Sequence, residues 1–486
     1  MTLSLENPKL LTTKAYINGV WVDASDKTTF PVFNPATGAV IAHVANLGKQ
    51  DTKKAVEAAE TAFPIWSALP AKKRSMLLKK WFALILKNKK DLATIMTAEQ
   101  GKPMAESIGE IIYGASFIEW FAEEAKRMYG DVIPETMPDR RQIAIRQAVG
   151  VVGAITPWNF PSAMITRKAA PALAAGCTFV CKSADQTPLS ALALCVLAEE
   201  AGIPAGVINI ITGTDAQGIG EILTEDPRIR KFTFTGSTAV GKHLLKQCAS
   251  TIKKVSLELG GNAPVIVFDD ADLDMAIDGL MACKYRNAGQ TCISANRIMV
   301  QDTIHATFVE KLTERLKSIS LGDGSKDGVT MGPLISEAAI ERVDSMVKDA
   351  LENGAKAVIG GKASTMGAQF YEPTILTHVT NTMRIFKEEI FGPIAAIYTF
   401  KEEADAIKMA NDTDYGLAAY FYSRDIGRVW RVSEALEYGM IGANETSITS
   451  EVIPFGGIKQ SGLGREGSKY GLDEFTEIKY ICMGGL

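Results

Sequence analysis

CTFVCKSADQTPLSALALCVLAEEAGIPAGVINIIT, residues 177–212, is the stretch whose reading decides the fold. CTFVCK (177–182) and GVINIIT (206–212) are short apolar, β-branched runs, and between them PLSALALCVLAEEAG (188–202) carries apolar residues at helical spacing. A strand, a helix and a strand of these lengths make one βαβ unit, which buries its apolar faces within a parallel sheet. The rhythm continues on both sides. GVVGAIT (150–156), KFTFTG (231–236) and KVSLEL (254–259) read as strands, and AVGKHLLKQCA (239–249) as a helix. The expectation is a doubly wound α/β domain over residues 148–267, with ligands beyond the carboxyl ends of its strands.

A second alternating region follows, with a strand at NRIMV (296–300), helices near 306–317 and 337–353, and KAVIGG (356–361). It reads as a separate α/β domain. The N-terminal part holds helical stretches at 72–88 and around 106–129, and there is no internal repeat or low-complexity linker.

Composition limits the functional classes. Of 486 residues 47% are hydrophobic and 22% charged, and the net charge is -4, so no basic surplus favours nucleic acid or an anionic membrane. The most apolar stretch, 169–181, contains Pro171 and Gly176 and is shorter than the roughly 18 residues that span a bilayer. No transmembrane segment is expected. The N-terminus MTLSLENPKLLTTKAY lacks the features of a signal or transit peptide, and seven cysteines without C-x-x-C pairs suit a reducing compartment, so the expectation is cytoplasmic. Four isolated histidines, His43, His243, His305 and His378, offer neither a zinc site nor a Ser-His or Cys-His pair, so no metal is expected.

Five motifs carry candidate chemistry. GSTAVGKH (236–243) nearly matches a P-loop, but His243 stands where Ser or Thr would hold magnesium. What remains is a glycine turn into a helix N-terminus, suited to a pyrophosphate or merely a steric turn. In PWNFP (157–161) two prolines fix the backbone around Asn159, whose amide is either an oxyanion donor or a cap. SLELGGNAP (256–264) ends a strand on Glu258, a partly desolvated base or a salt-bridged carboxylate. KEEIFGP (387–393) adds an acidic pair beside Phe391. YRNAGQTCISANR (285–297) contains Cys292, a reagent or an inert small apolar side chain.

In order and spacing, PWNFP, FTGSTAVG, LELGGNAP, GQTC and EEIFGP resemble the motifs of the aldehyde dehydrogenase superfamily, over nearly the whole chain. PFGGIKQSGLGREGSKYG (454–471) resembles the family too, and the likeness is nearest to its succinate-semialdehyde dehydrogenase branch. The resemblance implies the aldehyde dehydrogenase fold. Its parts would be a Rossmann-like NAD(P)-binding domain (1–127 and 149–259), an α/β catalytic domain (260–462) and a small β oligomerisation domain (128–148 and 463–486), in a homodimer or homotetramer.

Carried over residue by residue, the resemblance makes Cys292 the nucleophile and Asn159, with the Cys292 N–H, the oxyanion site. Glu258 would deprotonate the water that hydrolyses the thioester, with Lys168 as an electrostatic aid or simply an ion-paired lysine. A glutamate at 258 favours release of a free acid over transfer to coenzyme A. Thr156, Trp158, Lys182, Ser183, Asp185, Gly236, Ser237, Leu259, Glu389 and Phe391 would bind the nicotinamide cofactor. Asp185 suits the ribose hydroxyls of NAD and repels a 2′-phosphate, while Lys182 and Ser183 leave NADP as the alternative.

Arg167, Arg286, Thr449 and Phe455 would hold the substrate, with Arg167 and Arg286 facing one pocket as carboxylate anchors unless they are surface ion pairs. The implied partner is a small aldehyde with a distal carboxylate, succinate semialdehyde, with glutarate semialdehyde or a broader aldehyde range as competitors. A cofactor-independent thiol hydrolase using Cys292 and Glu258 is the reading from another class. Ser294 stands where relatives of this branch can carry a second cysteine, so a disulfide switch of that kind is not expected.

Overall fold

The computed structural model describes residues 3–485. Its central sheet has eight strands, of which five run parallel: Lys254–Glu258, Ile229–Thr235, Val151–Ile155, Thr178–Lys182 and Ile208–Ile211, in that spatial order. The chain enters at the middle strand, Val151–Ile155, moves out to Ile208–Ile211, and returns to lay Ile229–Thr235 on the other flank. That reversal opens a crevice at the carboxyl ends of Val151–Ile155 and Ile229–Thr235, between the 156–159 loop and Gly236. The Thr178–Lys182 and Ile208–Ile211 strands are buried on both faces, which is why they read as continuous apolar runs.

The helices expected from spacing form at Ala71–Lys87, Met104–Glu124, Pro188–Ala201, Thr238–Cys248, His305–Leu316 and Glu337–Glu352. Helix Ala163–Ala175 is buried along its whole length and packs on Met104–Glu124. Gly114 permits the contact, since a β-carbon there would come 3.2 Å from the Ala163 Cα.

A second sheet of seven strands holds Ala263–Val267 between Ala295–Gln301 and Ala418–Tyr422, all parallel. Glu258 therefore ends a strand of the first sheet and Ala263 begins one of the second, so residues 259–262 bridge the two. Cys292 lies just before the Ala295–Gln301 strand. The third sheet is antiparallel and joins Asp131–Ile133, Arg140–Ala148 and Thr476–Gly484, with Val132 86% and Ile478 68% exposed. Leu463 instead pairs with Leu257 at the edge of the first sheet, which carries the C-terminal segment past Glu258. Among the described residues no helix is long and apolar enough to cross a membrane.

Candidate active site

Glu258 closes its strand in the interior, and its Oε2 has no hydrogen-bond partner. Burial pushes the carboxyl well above the usual carboxylate range and neighbouring Glu466 adds to this, against the pull of Arg167, Lys168 and Arg465.

Asn159 follows the central strand and is held at its side-chain nitrogen, its side-chain oxygen and its carbonyl. Its Nδ2 donates to the Gln290 carbonyl (3.1 Å), its Oδ1 accepts from the Phe160 N–H (3.1 Å), and its own carbonyl accepts from Lys102 Nζ (2.7 Å) and Asn287 Nδ2 (3.1 Å). The amide is thus tied to the carbonyl two residues before Cys292, with one N–H free of that bond.

The loop before Cys292 turns through left-handed backbone at Asn287 (φ 51°), Ala288 (φ 52°) and Gly289 (φ 75°). Such a conformation costs roughly 1–2 kcal/mol for a residue with a β-carbon. Asn287 offsets it with bonds from its N–H to Glu106 Oε2 (2.8 Å) and from Gln100 Nε2 to its Oδ1 (2.9 Å). Gln290 Oε1 accepts from the Ile335 N–H (2.9 Å) and further ties the loop to the second sheet's side. Burial pushes the Cys292 thiol up to about 12, with Glu389 and Glu258 raising it and Arg167 and Arg286 opposing. Glu258, Glu389, Arg167 and Arg286 are therefore all within electrostatic reach of the sulfur, which rests as a thiol.

The two arginines part company. Arg286 lines a cavity of about 290 Å³ together with Tyr113, Cys283 and Thr449, and with Thr291 and Ile293 on either side of Cys292. Its guanidinium lies over the Phe160 ring, 5.3 Å from the centroid, and among the described residues it forms no ion pair. Arg167 is 2% exposed, stacked 3.9 Å from the centroid of Phe455, with Nε 2.9 Å from Glu466 Oε2. It reaches the cavity through Tyr113, whose hydroxyl accepts from its Nη1 at 3.3 Å. Lys168 donates to Thr235 Oγ1 (2.6 Å) and is paired with Glu466. Although burial works against the charged form, Lys168 and Arg167 hold Glu466 below the usual carboxylate range.

On the crevice side, Ser237 caps helix Thr238–Cys248 by accepting from the Val240 N–H (3.4 Å), and the Gly236 N–H donates to the Glu258 carbonyl (3.0 Å). Leu259 fills the space over Gly241, where a β-carbon would come 2.4 Å from its Cδ2. Glu389 Oε1 accepts from the Gly261 N–H (2.9 Å), and burial raises its carboxyl to about 7. The rings of Trp158 and Phe391 meet edge to face at 5.7 Å. At the end of the next strand Lys182 Nζ donates to the Ser183 carbonyl (3.2 Å), Asp185 is half-buried nearby, and the Thr156 N–H donates to the Lys182 carbonyl (3.1 Å). A helix N-terminus, a carboxylate and two aromatic rings around one crevice fit a nicotinamide dinucleotide. Among the described residues no group of three or more His, Cys, Asp or Glu side chains is placed to hold a metal ion.

The profile of the aldehyde dehydrogenase family matches residues 21–481. The chain belongs to that family. It is 56% identical to the glutarate-semialdehyde dehydrogenase of Pseudomonas aeruginosa over 484 residues, covering 100% of both chains. It is also 56% identical to the NADP(+) succinate-semialdehyde dehydrogenase of Escherichia coli K12 over 482 residues, covering 99% of this chain and 100% of the relative. The crystal structure of an NADP-dependent enzyme from E. coli superposes with a TM-score of 0.98 at 56% identity, covering 99% and 100% of the two chains. The protein has the aldehyde dehydrogenase fold and is an oxidoreductase that uses a nicotinamide cofactor on small aldehydes.

Several residues of this aldehyde dehydrogenase site escape a reading of the sequence. Lys102, Glu110 and Tyr113 lie on or beside a helix whose charges look solvated, and Glu466 is 298 residues from the lysine it pairs with. Cys283 carries no motif, yet it lines the cavity with its Sγ 3.4 Å from the Ile293 carbonyl. Gln290 lies inside the quoted GQTC motif and Asn287 two residues before it, and left-handed turns favouring Asn and Gly were the available signal.

Proposed function

We propose that the protein oxidises an aldehyde bearing a distal carboxylate, succinate semialdehyde before glutarate semialdehyde, to the free acid. The observation that carries this reading is Arg286, a guanidinium without an ion pair in the cavity beside Cys292, with Thr449 on the same wall. Arg286 is exposed and its guanidinium is free of an ion pair, so it can engage a carboxylate with two N–H groups. Relatives named for two semialdehydes that differ by one methylene support the substrate class, and a methylene discriminates by only about 1–3 kcal/mol.

In this reading the ionised form of Glu258 takes the Cys292 proton through water and passes it to solvent, and the sulfur adds to the aldehyde carbon. The Asn159 amide and the Cys292 N–H hold the oxyanion of the thiohemiacetal. The bound nicotinamide supplies the hydride acceptor, leaving a thioester on Cys292. Glu258 then takes a proton from the water that hydrolyses the thioester, and Lys168 through Glu466 moderates the charge of Glu258. Arg286, Thr449, Arg167 and Phe455 orient the substrate. Thr156, Trp158, Lys182, Ser183, Asp185, Gly236, Ser237, Leu259, Glu389 and Phe391 hold the cofactor.

Asp185 supports NAD as the preferred acceptor. The buried Lys182 amine beside Ser183 favours the second reading, NADP, which is also the cofactor in the name of the E. coli relative. We assign residues 1–127 and 149–259 to the cofactor domain, 260–462 to the catalytic domain, and 128–148 with 463–486 to dimer or tetramer formation, in a cytoplasmic protein. A panel of aldehydes with and without a terminal carboxylate, run with NAD and with NADP, tests the reading. A higher kcat/KM for uncharged aldehydes would overturn the substrate, and turnover without absorbance change would overturn the redox chemistry.

A further inference from the structure

Under the Asn159 loop lies an ion pair shielded completely from water. Lys102 Nζ and Glu110 Oε2 are 2.6 Å apart, with both side chains 1% exposed. A pair so buried is a poor stabiliser by itself, because desolving two charges costs about as much as their attraction returns. Its geometry, however, is that of a clamp. The second oxygen, Glu110 Oε1, accepts from the Ser162 N–H (2.9 Å) and the Ala163 N–H (3.2 Å), at the first turn of helix Ala163–Ala175. The lysine donates to the Asn159 carbonyl (2.7 Å), and its amine lies 4.0 Å from the centroid of the Phe160 ring. The pair therefore grips the chain on both sides of Phe160–Pro161.

Across the cavity wall, Asn287 Nδ2 donates to the same Asn159 carbonyl (3.1 Å) and to the Gln290 carbonyl (3.2 Å), while Asn159 Nδ2 also donates to Gln290 (3.1 Å). With its carbonyl pinned by two donors, the Asn159 residue has one orientation left. Its amide is tethered to the backbone two residues before Cys292 by one N–H and keeps the other for a ligand.

We propose that Lys102, anchored by Glu110, is a positioning residue for the oxyanion-binding amide of Asn159. It touches neither substrate nor cofactor and acts on the reaction through the Asn159 carbonyl. The proposal rests on the assignment of Asn159 to the oxyanion.

The test compares Lys102→Met, Asn159→Ala, their combination, and Lys102→Met/Glu110→Gln in the full-length enzyme with succinate semialdehyde and NAD. The glutamine keeps an acceptor for Ser162 and Ala163, so the charge-free double variant avoids stranding a buried carboxylate. Lys102→Met is expected to lower kcat by about tenfold or more, with the KM for NAD and the NAD affinity from fluorescence titration unchanged. The double variant should stay slow, and Lys102→Met should cost nothing further once Asn159 is alanine. Recovery of kcat in the charge-free variant would reduce Lys102 to a counter-ion and overturn the proposal, as would multiplicative losses with Asn159→Ala. Full activity in Asn159→Ala alone would instead remove the oxyanion assignment beneath it.

Discussion

The carbonyl oxygen of Cys292 rests against Gly261 so closely that a β-carbon added there would lie 2.2 Å from it. The same glycine donates its N–H to Glu389 Oε1, so it is wedged between the nucleophile loop and a carboxylate of the crevice. A methyl group has no way in except by moving the Cys292 backbone. Gly261→Ala should lower kcat by about 100-fold, as displacements near 1 Å do, and lower the melting temperature. Steady-state kinetics with a thermal melt check this, and a variant with normal kcat would show that the loop tolerates displacement.

Glu258→Gln keeps the shape of the side chain and removes the base. Rapid mixing should show an initial burst of reduced cofactor followed by turnover slowed about 10²- to 10⁴-fold. Undiminished steady-state turnover would take Glu258 out of the hydrolytic step.

The pH profile follows from the two raised groups. Cys292 is pushed up to about 12 and Glu258 well above its ordinary range, both mainly by burial. The reactive forms are the deprotonated ones, and the upward shifts mean that their share grows as pH rises. kcat/KM for the aldehyde should therefore climb between about pH 6 and 9, by at most about tenfold per unit. A profile flat across that window would mean a preformed thiolate.

Arg286→Ala should raise KM for succinate semialdehyde by about 10- to 100-fold, the scale of a lost charge-assisted contact. An uncharged aldehyde should be nearly unaffected. Equal effects on both substrates would make Arg286 a structural residue of the wall.

At the cofactor end, Asp185→Ser removes a carboxylate while leaving Lys182 and Ser183 in place. The ratio of kcat/KM for NADP to that for NAD should rise by about tenfold or more. An unchanged ratio would free Asp185 from any part in cofactor choice.

Much of the frame was legible because its signals are local. The 177–212 stretch shows its βαβ unit in order, and helix Pro188–Ala201 lies within the expected 188–202. The bounds drift only at element ends, where GVINIIT narrows to Ile208–Ile211 as Gly206 turns at φ 79°. Arg286 sits on the short turn Arg286–Gly289, past the end of the Leu273–Lys284 helix and ahead of the left-handed residues Asn287 and Ala288.

By itself, then, the sequence determined the parallel sheet, the crevice at its carboxyl edge and the order of motifs from Asn159 to Glu389, since apolar period and glycine turns act over a few residues. Tertiary structure alone decided what each charged group does. It left Arg286 unpaired in the cavity and locked Arg167 beneath Phe455 against Glu466. It also buried Lys102 under Asn159, fifty-seven residues away. Burial and pairing set the charge and direction of such side chains, and both depend on neighbours that the chain supplies from far along its length.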